Sequence, residues 1–202
     1  MSQELEYSAA LTGASFLFFE LKKVVSLSLE GQTDKEIKQK VIEENLFDYK
    51  FVSSLKRSTP ALLKRNNVLD EKLKEMLLNE DLQTAKVIVL YAIMKTDRLF
   101  YEWMTEVIGE KLRNNDFYLE KIDSNLFFEH KAEQSEKVAS FKEQTRRKLQ
   151  TIHQKIMLES GILLEKKTGT LSIPLIDEEL RDHLISIGDK KILQAVGYEE
   201  GA

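Results

Sequence analysis

Residues 141–176 contain a helical pattern followed by a strand pattern: FKEQTRRKLQTIHQKIMLES (141–160), Gly161, and then ILLEKKTGTLSIPLI (162–176). At about 100° per residue, the first part places on one face five residues suited to a buried seam: Phe141, Thr145, Leu149, Ile152 and Ile156. This pattern predicts an amphipathic helix that stops at Gly161. A helix followed directly by a strand pattern is the order expected of a winged helix-turn-helix unit.

The second part of the stretch predicts a β-hairpin. Residues 162–165 and 170–173 form two short strand patterns, and Gly169 between them supplies the positive φ that a tight turn needs. Lys166 and Lys167 lie at the predicted tip, where the wing of a winged helix can contact the phosphate backbone or the minor groove of DNA. A hairpin tip that is simply solvated remains an alternative.

The face of the 141–160 helix opposite the seam contains no apolar residue. It presents amide, hydroxyl and guanidinium groups: Gln144, Arg147, Gln150, Thr151 and Gln154. Basic residues flank this face, with Lys148 and Lys155 on one side and Lys142, Arg146 and His153 on the other. Amides can form paired hydrogen bonds with base edges, and cations can bind phosphates. The pattern predicts a helix that contacts a DNA groove; a solvated surface helix is the alternative.

A second basic segment lies between Asp48 and Asp70. It contains no acidic residue and five basic ones: Lys50, Lys56, Arg57, Lys64 and Arg65. Separation of positive from negative charge along the chain is what a local site for a polyanion requires. A chance fluctuation in charge is the alternative interpretation of this segment.

The composition favours one mostly helical globular unit. The chain has 202 residues, of which 42% are hydrophobic and 32% charged, with only 8 glycines and 2 prolines. It has no cysteine, which excludes disulfides and thiolate chemistry and suits a reducing cytoplasm. The net charge of −4 means that nucleic-acid binding would depend on local basic patches.

Neither apolar run of the sequence predicts a membrane span. FLFFELKKVVSLSL (16–29) contains Glu20, Lys22 and Lys23, and VIVLYAIM (87–94) is followed at once by charged residues. Both are shorter than the roughly 20 apolar residues that a bilayer requires. The N-terminus lacks the basic region and cleavage site of a signal peptide. We therefore expect a cytoplasmic protein without a membrane partner.

Capping residues and apolar spacing predict the helices of the first part of the chain. A core helix is expected from about Phe16 to Leu29, and Thr33 with Glu36 forms a capping box that opens the next helix. Pro60 either begins a new helix or kinks a longer one. Asp70 caps a short amphipathic helix.

Two helices are predicted from Asp81 to Arg113, with a break at Thr96 and Asp97. An aromatic cluster in the second of these helices could be mistaken for a base-stacking platform, but its helical spacing predicts core packing: Phe100, Tyr101, Trp103 and Met104. Three later helices are predicted: one over residues 124–131, one capped by Asp177 and one capped by Asp189. Ser135 caps either the basic helix or a shorter helix before it.

No internal repeat or flexible linker divides the chain. We therefore expect a single globular unit over residues 1–202, with a helical core (1–134) and a winged-helix-like C-terminal part (135–202).

The sequence offers no catalytic constellation. It lacks a cysteine nucleophile, a Walker-type phosphate loop, a dinucleotide glycine fingerprint and a nucleophile elbow. The three histidines, His130, His153 and His183, stand far apart without a partner at metal-ligand spacing. We expect a protein that is not an enzyme and has no metal, cofactor or small-molecule substrate.

Three segments carry a resemblance to a known family. YSAALTGASFLFFELKKVVSLSLEGQTDKEIKQKVIEENLF (7–47), LFYEWMTEVIGEKL (99–112) and QTRRKLQTIHQKIMLESGIL (144–163) resemble the BrxA proteins, small accessory components of bacterial BREX phage-defence systems. The resemblance spans nearly the whole chain and rests on apolar and polar patterns. It implies a helical fold similar to that of the NusB antitermination factor, nucleic-acid binding without catalysis, and work beside methyltransferase and ATPase components. No family motif fixes the binding residues.

The leading hypothesis is a double-stranded DNA-binding protein that uses the 144–155 helix face, the 50–65 segment and the hairpin tip. An adaptor for other BREX components is the first alternative and would have a large exposed apolar patch. RNA binding is the second, and it would require exposed aromatic residues beside cations, for which Tyr49 and Phe51 next to Lys50 are candidates. The sequence leaves open whether the two basic regions share one face.

Overall fold

The computed structural model describes residues 5–198, and residues 1–4 and 199–202 of the predicted unit lie outside this range. The chain is mostly α-helical, with one small antiparallel hairpin, as the sequence predicted. After a 3₁₀ turn (Ala10–Gly13), the elements in chain order are α1 (Phe18–Leu29), α2 (Asp34–Glu43), α3 (Val52–Asn67), α4 (Glu71–Asn79), α5 (Leu82–Thr96), α6 (Arg98–Glu102), a π-helical segment (Trp103–Ile108), α7 (Gly109–Arg113), α8 (Lys121–Gln134), α9 (Glu136–Ala139), α10 (Glu143–Ser160), β1 (Leu163–Glu165), β2 (Thr170–Leu171), α11 (Glu178–Ser186) and α12 (Lys190–Ala195).

Side-chain caps begin several helices where the sequence predicted them. The Thr33 backbone N–H donates to Glu36 at 2.8 Å, and the Thr33 hydroxyl accepts from the Glu36 backbone, which completes the capping box of α2. Asp70 accepts from the Leu73 backbone N–H at 2.9 Å at the start of α4. Asp177 caps α11 in the same way. These bonds satisfy backbone donors that the first helical turn leaves unpaired.

Helix α5 forms the centre of the core. It is buried on almost its whole circumference, and it packs against α1, α3, α4, α6 and α10. The apolar run at residues 87–94 is therefore a core helix. Phe100, Trp103 and Met104 are also buried, as predicted, and the partly buried Tyr101 packs against the core cluster. Among residues 5–198, no helix has both the length and the apolar character needed to cross a membrane.

The structure corrects two predictions of local structure, the start of α1 and the cap at Asp189, and it resolves the alternative at Pro60. Helix α1 begins at Phe18, not Phe16, because Leu17 adopts a left-handed conformation with φ of 54°. Helix α3 continues through Pro60, so this proline does not open a new helix. Asp189 precedes α12 but does not cap it, since its carboxylate instead accepts from the Tyr91 hydroxyl at 2.7 Å and from Lys95 at 2.8 Å.

The C-terminal part packs directly on the helical core. Ser135 caps the short α9, which settles the alternative that the sequence left open. Leu149 on α10 and Ile88 on α5 belong to one hydrophobic cluster, and α10 contacts both α5 and the 3₁₀ turn. The division at residue 134 stays a prediction, and this cluster extends across it.

The hairpin is fixed to the helical body along one edge. Leu163 pairs with Leu171 in antiparallel register, and the Leu119 backbone N–H donates to the Gly169 carbonyl at 2.8 Å. Gly169 has φ of 71°, and a Cβ at this position would lie only 2.1 Å from the Leu119 carbonyl oxygen. Glycine is therefore required here both for the turn and for the close approach of the backbone of residues 117–119.

Candidate nucleic-acid interface

Helix α10 buries the predicted seam and exposes most of the predicted polar face. Leu149, Ile152 and Ile156 are buried, and Phe141 and Thr145 are partly buried. The exposed polar side chains are Lys142, Gln144, Arg147, Lys148, Thr151 and Lys155, with Gln150 and Gln154 half-buried. The helix therefore presents cations and amides to solvent, as a groove-contacting helix requires.

Internal contacts hold some of these groups and leave others free to bind. Arg147 Nε donates to Glu143 at 2.8 Å in an exposed i,i+4 pair, which contributes little to stability and is easily exchanged. Gln150 Nε2 donates to Asn125 on α8 at 3.1 Å. Lys155 Nζ lies 3.9 Å from Glu159 Oε1. No internal ion pair holds Lys148 among residues 5–198, so its ammonium group is available to a phosphate.

His153 does not belong to the exposed face on whose edge the sequence placed it. It is 1% exposed, and the rings of Phe100, Trp103 and Phe128 surround it. Neither ring nitrogen has a hydrogen-bond partner among the described residues. Burial lowers the pKa of His153 to about 3, so the ring is neutral near pH 7. It faces the core with Leu149 and Ile152 and cannot contact phosphate.

The neighbouring Arg146 is also less available than predicted. Its Nη2 atom donates to the Ala139 carbonyl at 3.0 Å, and its Nε atom is buried. Arg146 thus connects α10 to the end of α9 and supports the position of α10.

The basic segment 50–65, which runs into α3, keeps four of its five predicted cations on the surface: Lys50, Lys56, Arg57 and Lys64. Arg65 is 1% exposed, which contradicts its prediction as a phosphate contact. Burial lowers the pKa of its guanidinium to about 10, and the group donates to three backbone carbonyls: Ala14 at 2.6 Å, Ser15 at 2.7 Å and Phe16 at 3.1 Å. Arg65 holds the segment before α1 against α3.

The spacing of apolar residues could have identified Arg65 as buried. It follows the buried Leu62 by three positions on α3. Residues three and four apart share one face of a helix. The charge pattern alone does not indicate that Arg65 lies on the apolar face of α3.

Glu20 on α1 lies between the segment before α3 and the end of α10. The carboxylate of Glu159 at the end of α10 interacts electrostatically with Lys155, Lys166 and Glu20, and burial raises its pKa. Glu20 also accepts a hydrogen bond at 2.7 Å from the hydroxyl of Tyr49. Tyr49 directly precedes Lys50 in the chain. Glu20 therefore contacts the segment before α3 and lies within electrostatic range of the end of α10.

A second contact connects the same regions. The side chain of Arg57 covers Gly13, where a Cβ would lie 2.9 Å from Arg57 Cγ. The 3₁₀ turn that contains Gly13 packs against α10. Arg57 on α3 is thus separated from α10 by one turn of backbone.

Exposed aromatic residues occur beside these cations. Phe51 is 61% exposed, and Lys50 Nζ lies 5.5 Å from the centre of its ring. Phe19 on α1, which sequence analysis missed, is 73% exposed and neighbours Glu20. Tyr49 is half-buried, and its hydroxyl donates to Glu20. Phe51, unlike Tyr49, can offer its ring to a base.

The hairpin tip exposes Lys166 and Lys167, as predicted. Exposed apolar side chains also occur away from the basic regions. Tyr118, Ile122 and Leu126 lie at and before the start of α8, and Leu175 follows the hairpin. In residues 5–198, no group of three or more histidine, cysteine or acidic side chains could hold a metal ion.

Comparison with known proteins identifies the family. The sequence profile of the BrxA family matches residues 5–188. "BREX protein BrxA" of Bacillus cereus (strain H3081.97) is 38% identical over 190 residues, which cover 94% of this chain and 95% of that protein. "BREX protein BrxA" of Paramagnetospirillum magneticum (strain ATCC 700264 / AMB-1) is 21% identical over 193 residues, which cover 96% of this chain and 97% of that protein.

A solved structure shares the fold. The crystal structure of an uncharacterized protein from Magnetospirillum magneticum has a TM-score of 0.82 to this chain, with 20% sequence identity, and covers 95% of this chain and 98% of that one. The family profile spans most of the sequence, and the Bacillus cereus relative aligns over nearly its whole length. The chain therefore belongs to the BrxA family.

Proposed function

We propose that this chain is a non-enzymatic DNA-binding accessory protein of a bacterial BREX phage-defence system and acts in the cytoplasm beside other BREX components. Work within a BREX system is supported by the names of its relatives, each a "BREX protein BrxA". The observation that carries DNA binding is the set of exposed cations on α10, at the hairpin tip and at and before the start of α3. Cations from three separate elements can then face one duplex.

The cations and amides of this surface have complementary roles. Nine basic side chains remain after Arg65 is removed from the set: Lys50, Lys56, Arg57, Lys64, Arg147, Lys148, Lys155, Lys166 and Lys167. They provide phosphate contacts, whereas Gln144, Gln150, Thr151 and Gln154 on α10 are suited to base edges. If five or six cations contact phosphates, log affinity falls against log salt with a slope of about −5.

The acidic carboxylates within this surface set a limit on its affinity. Glu143 and Glu159 each interact with a cation of α10, and Glu20 lies close to Glu159. Phosphates must compete with these carboxylates for the same cations. We therefore expect DNA binding that depends on salt and on a small number of cations. The net charge of −4 fits this expectation, because the protein as a whole does not attract a polyanion.

The direct experiment is fluorescence anisotropy with a labelled duplex of about 30 base pairs, titrated at several salt concentrations. Duplex binding with a steep salt slope supports the proposal. The test variant is Arg147→Glu/Lys148→Glu on α10. Its matched control is Lys35→Glu/Lys38→Glu on α2, which makes the same change in charge at two exposed residues outside the proposed surface. No duplex binding at low salt contradicts the proposal.

Single-stranded nucleic acid is a second candidate ligand, because Phe51 is exposed beside Lys50. An exposed ring next to a cation can stack on an unpaired base. Competition of the labelled duplex with RNA and with single-stranded DNA of equal length separates the two ligands. A competitor that displaces the duplex at a lower concentration than unlabelled duplex would identify the preferred nucleic acid.

Docking onto other BREX components is the alternative supported by the exposed apolar residues at the start of α8, Tyr118, Ile122 and Leu126. Aromatic and aliphatic side chains of this kind are common in protein interfaces. A pull-down of purified BREX components with the wild type and with Ile122→Asp/Leu126→Asp tests this role. Equal capture by both proteins would remove these residues from the interface.

A further inference from the structure

A polar cleft of about 620 Å³ lies away from α10, beside the π-helical segment. Its walls come from the N-terminal segment, α6, the π-helix, α7, α8 and α12, and they include Tyr7, Arg98, Glu102, Arg113, Lys131 and Lys191. Its volume lies within the range of about 300–1,000 Å³ typical of small-molecule sites. Nothing in the proposed DNA surface uses these residues.

The floor of the cleft is a buried hydrogen-bonded network centred on Glu102. The Glu102 carboxylate accepts from the Tyr7 hydroxyl at 2.9 Å, from Arg98 Nε at 2.8 Å and from Lys131 Nζ at 2.8 Å. Lys131 is 3% exposed and also donates to Glu106 at 2.7 Å. The Arg98 guanidinium stacks 4.0 Å from the centre of the Tyr7 ring. These contacts hold the floor in one arrangement.

The cleft has an excess of positive charge in an acidic protein. Arg98 and Lys131 offset Glu102 and Glu106 one for one. Arg113 and Lys191 add two further positive charges, and both side chains are exposed at the cleft. Neither has an ion-pair partner within residues 5–198. An anionic ligand would neutralise them, and the amides of Gln134 and Gln194 add hydrogen-bonding groups to the walls.

The backbone brings Arg113 and α12 together. Gly109 begins α7, and a Cβ at this position would lie 2.9 Å from Ala195 Cα and 3.2 Å from Arg113 Nη1. Glycine therefore allows α12 to approach α7, and Lys191 on α12 then lines the same cleft as Arg113. The π-helical segment before Gly109 supplies Thr105 and Glu106 to the wall, and such segments are frequent at functional sites.

We propose that this cleft binds a phosphate monoester of nucleotide size, with its phosphate between Arg113 and Lys191 and its remaining part along Tyr7 and Thr105. A phosphate monoester has about two negative charges near neutral pH, which matches the two cations without partners. Guanidinium groups bind phosphate oxygens through paired hydrogen bonds. The cleft is larger than a phosphate alone requires, so a ligand with an organic part fills it better than inorganic phosphate does.

Isothermal titration calorimetry with adenosine 5′-monophosphate, adenosine and inorganic phosphate as probes tests this proposal. The monophosphate is expected to bind more tightly than either of the other two. The variant Arg113→Gln/Lys191→Gln should weaken it about tenfold or more, because two charge-assisted contacts are lost. Both residues are exposed, so the melting temperature should remain that of the wild type.

Two further variants make the result specific to the cleft. Glu106→Gln removes a negative charge from the wall while Lys131 keeps Glu102 as its partner, so it should bind the monophosphate several-fold more tightly. Lys35→Gln/Lys38→Gln on α2 makes the same charge change as the cleft variant and should bind like the wild type. Adenosine binding as tight as the monophosphate, no monophosphate binding at millimolar concentration, or equal weakening by the α2 variant would each overturn the proposal.

Discussion

Helices α3 and α10 both combine basic residues with an apolar seam, yet they use their basic side chains differently. On α10, Arg147 and Lys148 extend into solvent, and the basic residue that turns inward is His153, which is neutral in the core. On α3, the inward residue is Arg65, which stays charged and bonds three carbonyls. The comparison shows that a basic residue can be available for binding, can pack in the core or can hold a loop in place. Its position relative to the apolar seam of the helix determines which of these roles it has.

The largest expected effect comes from the buried guanidinium of α3. Replacing Arg65 with alanine leaves the carbonyls of Ala14, Ser15 and Phe16 without their donor in the interior. Each unsatisfied buried group costs about 1–3 kcal/mol, so we expect a loss of roughly 3 kcal/mol or more in the free energy of unfolding. Urea denaturation followed by circular dichroism measures it.

The control for Arg65 is its exposed neighbour. Lys64→Ala removes a positive charge from the same helix and should change the free energy of unfolding by less than about 0.5 kcal/mol. If Arg65→Ala were as stable as Lys64→Ala, the role of Arg65 in holding the segment before α1 would be refuted.

The corresponding charges of α10 should affect binding and not stability. We expect Arg147→Glu/Lys148→Glu to weaken duplex binding roughly 100-fold, because two attractive phosphate contacts become repulsive. Helicity and the midpoint of urea denaturation should stay at the wild-type values. Fluorescence anisotropy measures the affinity, and retained affinity would remove α10 from the interface.

His153 gives the comparison a pH dependence. Its pKa in the folded protein, about 3, is far below the ordinary value of 6.5, so the unfolded chain binds a proton that the folded chain does not. Stability is therefore complete above pH 6.5 and is lost as the pH falls towards 3, by about 1.4 kcal/mol per unit well below pH 6.5.

The variant His153→Leu isolates this contribution. Between pH 7 and pH 5, the wild type should lose roughly 2 kcal/mol more in the free energy of unfolding than His153→Leu. Denaturation curves at both pH values measure the difference. The same pH dependence in both proteins would show that another group, and not His153, titrates in this range.

The smallest expected effect concerns Phe51. Phe51→Ala should weaken binding to single-stranded nucleic acid by about 1 kcal/mol, or roughly fivefold, if its ring stacks on a base. Duplex affinity should change less, because paired bases do not offer their faces. Anisotropy with both probes measures the ratio, and an equal change for both would exclude selective stacking by Phe51.

Much of the helical framework could be predicted from the sequence because its signals are local. The capping box at Thr33 and Glu36, the Asp70 and Asp177 caps, and the break at Asp97 each depend on residues within one or two turns. The seam of α10 and the turn at Gly169 are equally local. The glycines and caps set where these elements begin and end before any tertiary contact forms.

Tertiary structure decided what local patterns could not. Asp189 occupies a cap position but bonds Tyr91 and Lys95, almost a hundred residues away. Arg65 faces three carbonyls of a distant loop, and His153 enters an aromatic cluster from α6, the π-helix and α8. Local signals in the chain were enough to place the charged residues and the starts of the capped helices α2, α4 and α11. Only packing between distant elements determined which charges meet solvent, because burial depends on neighbours that the local sequence does not contain.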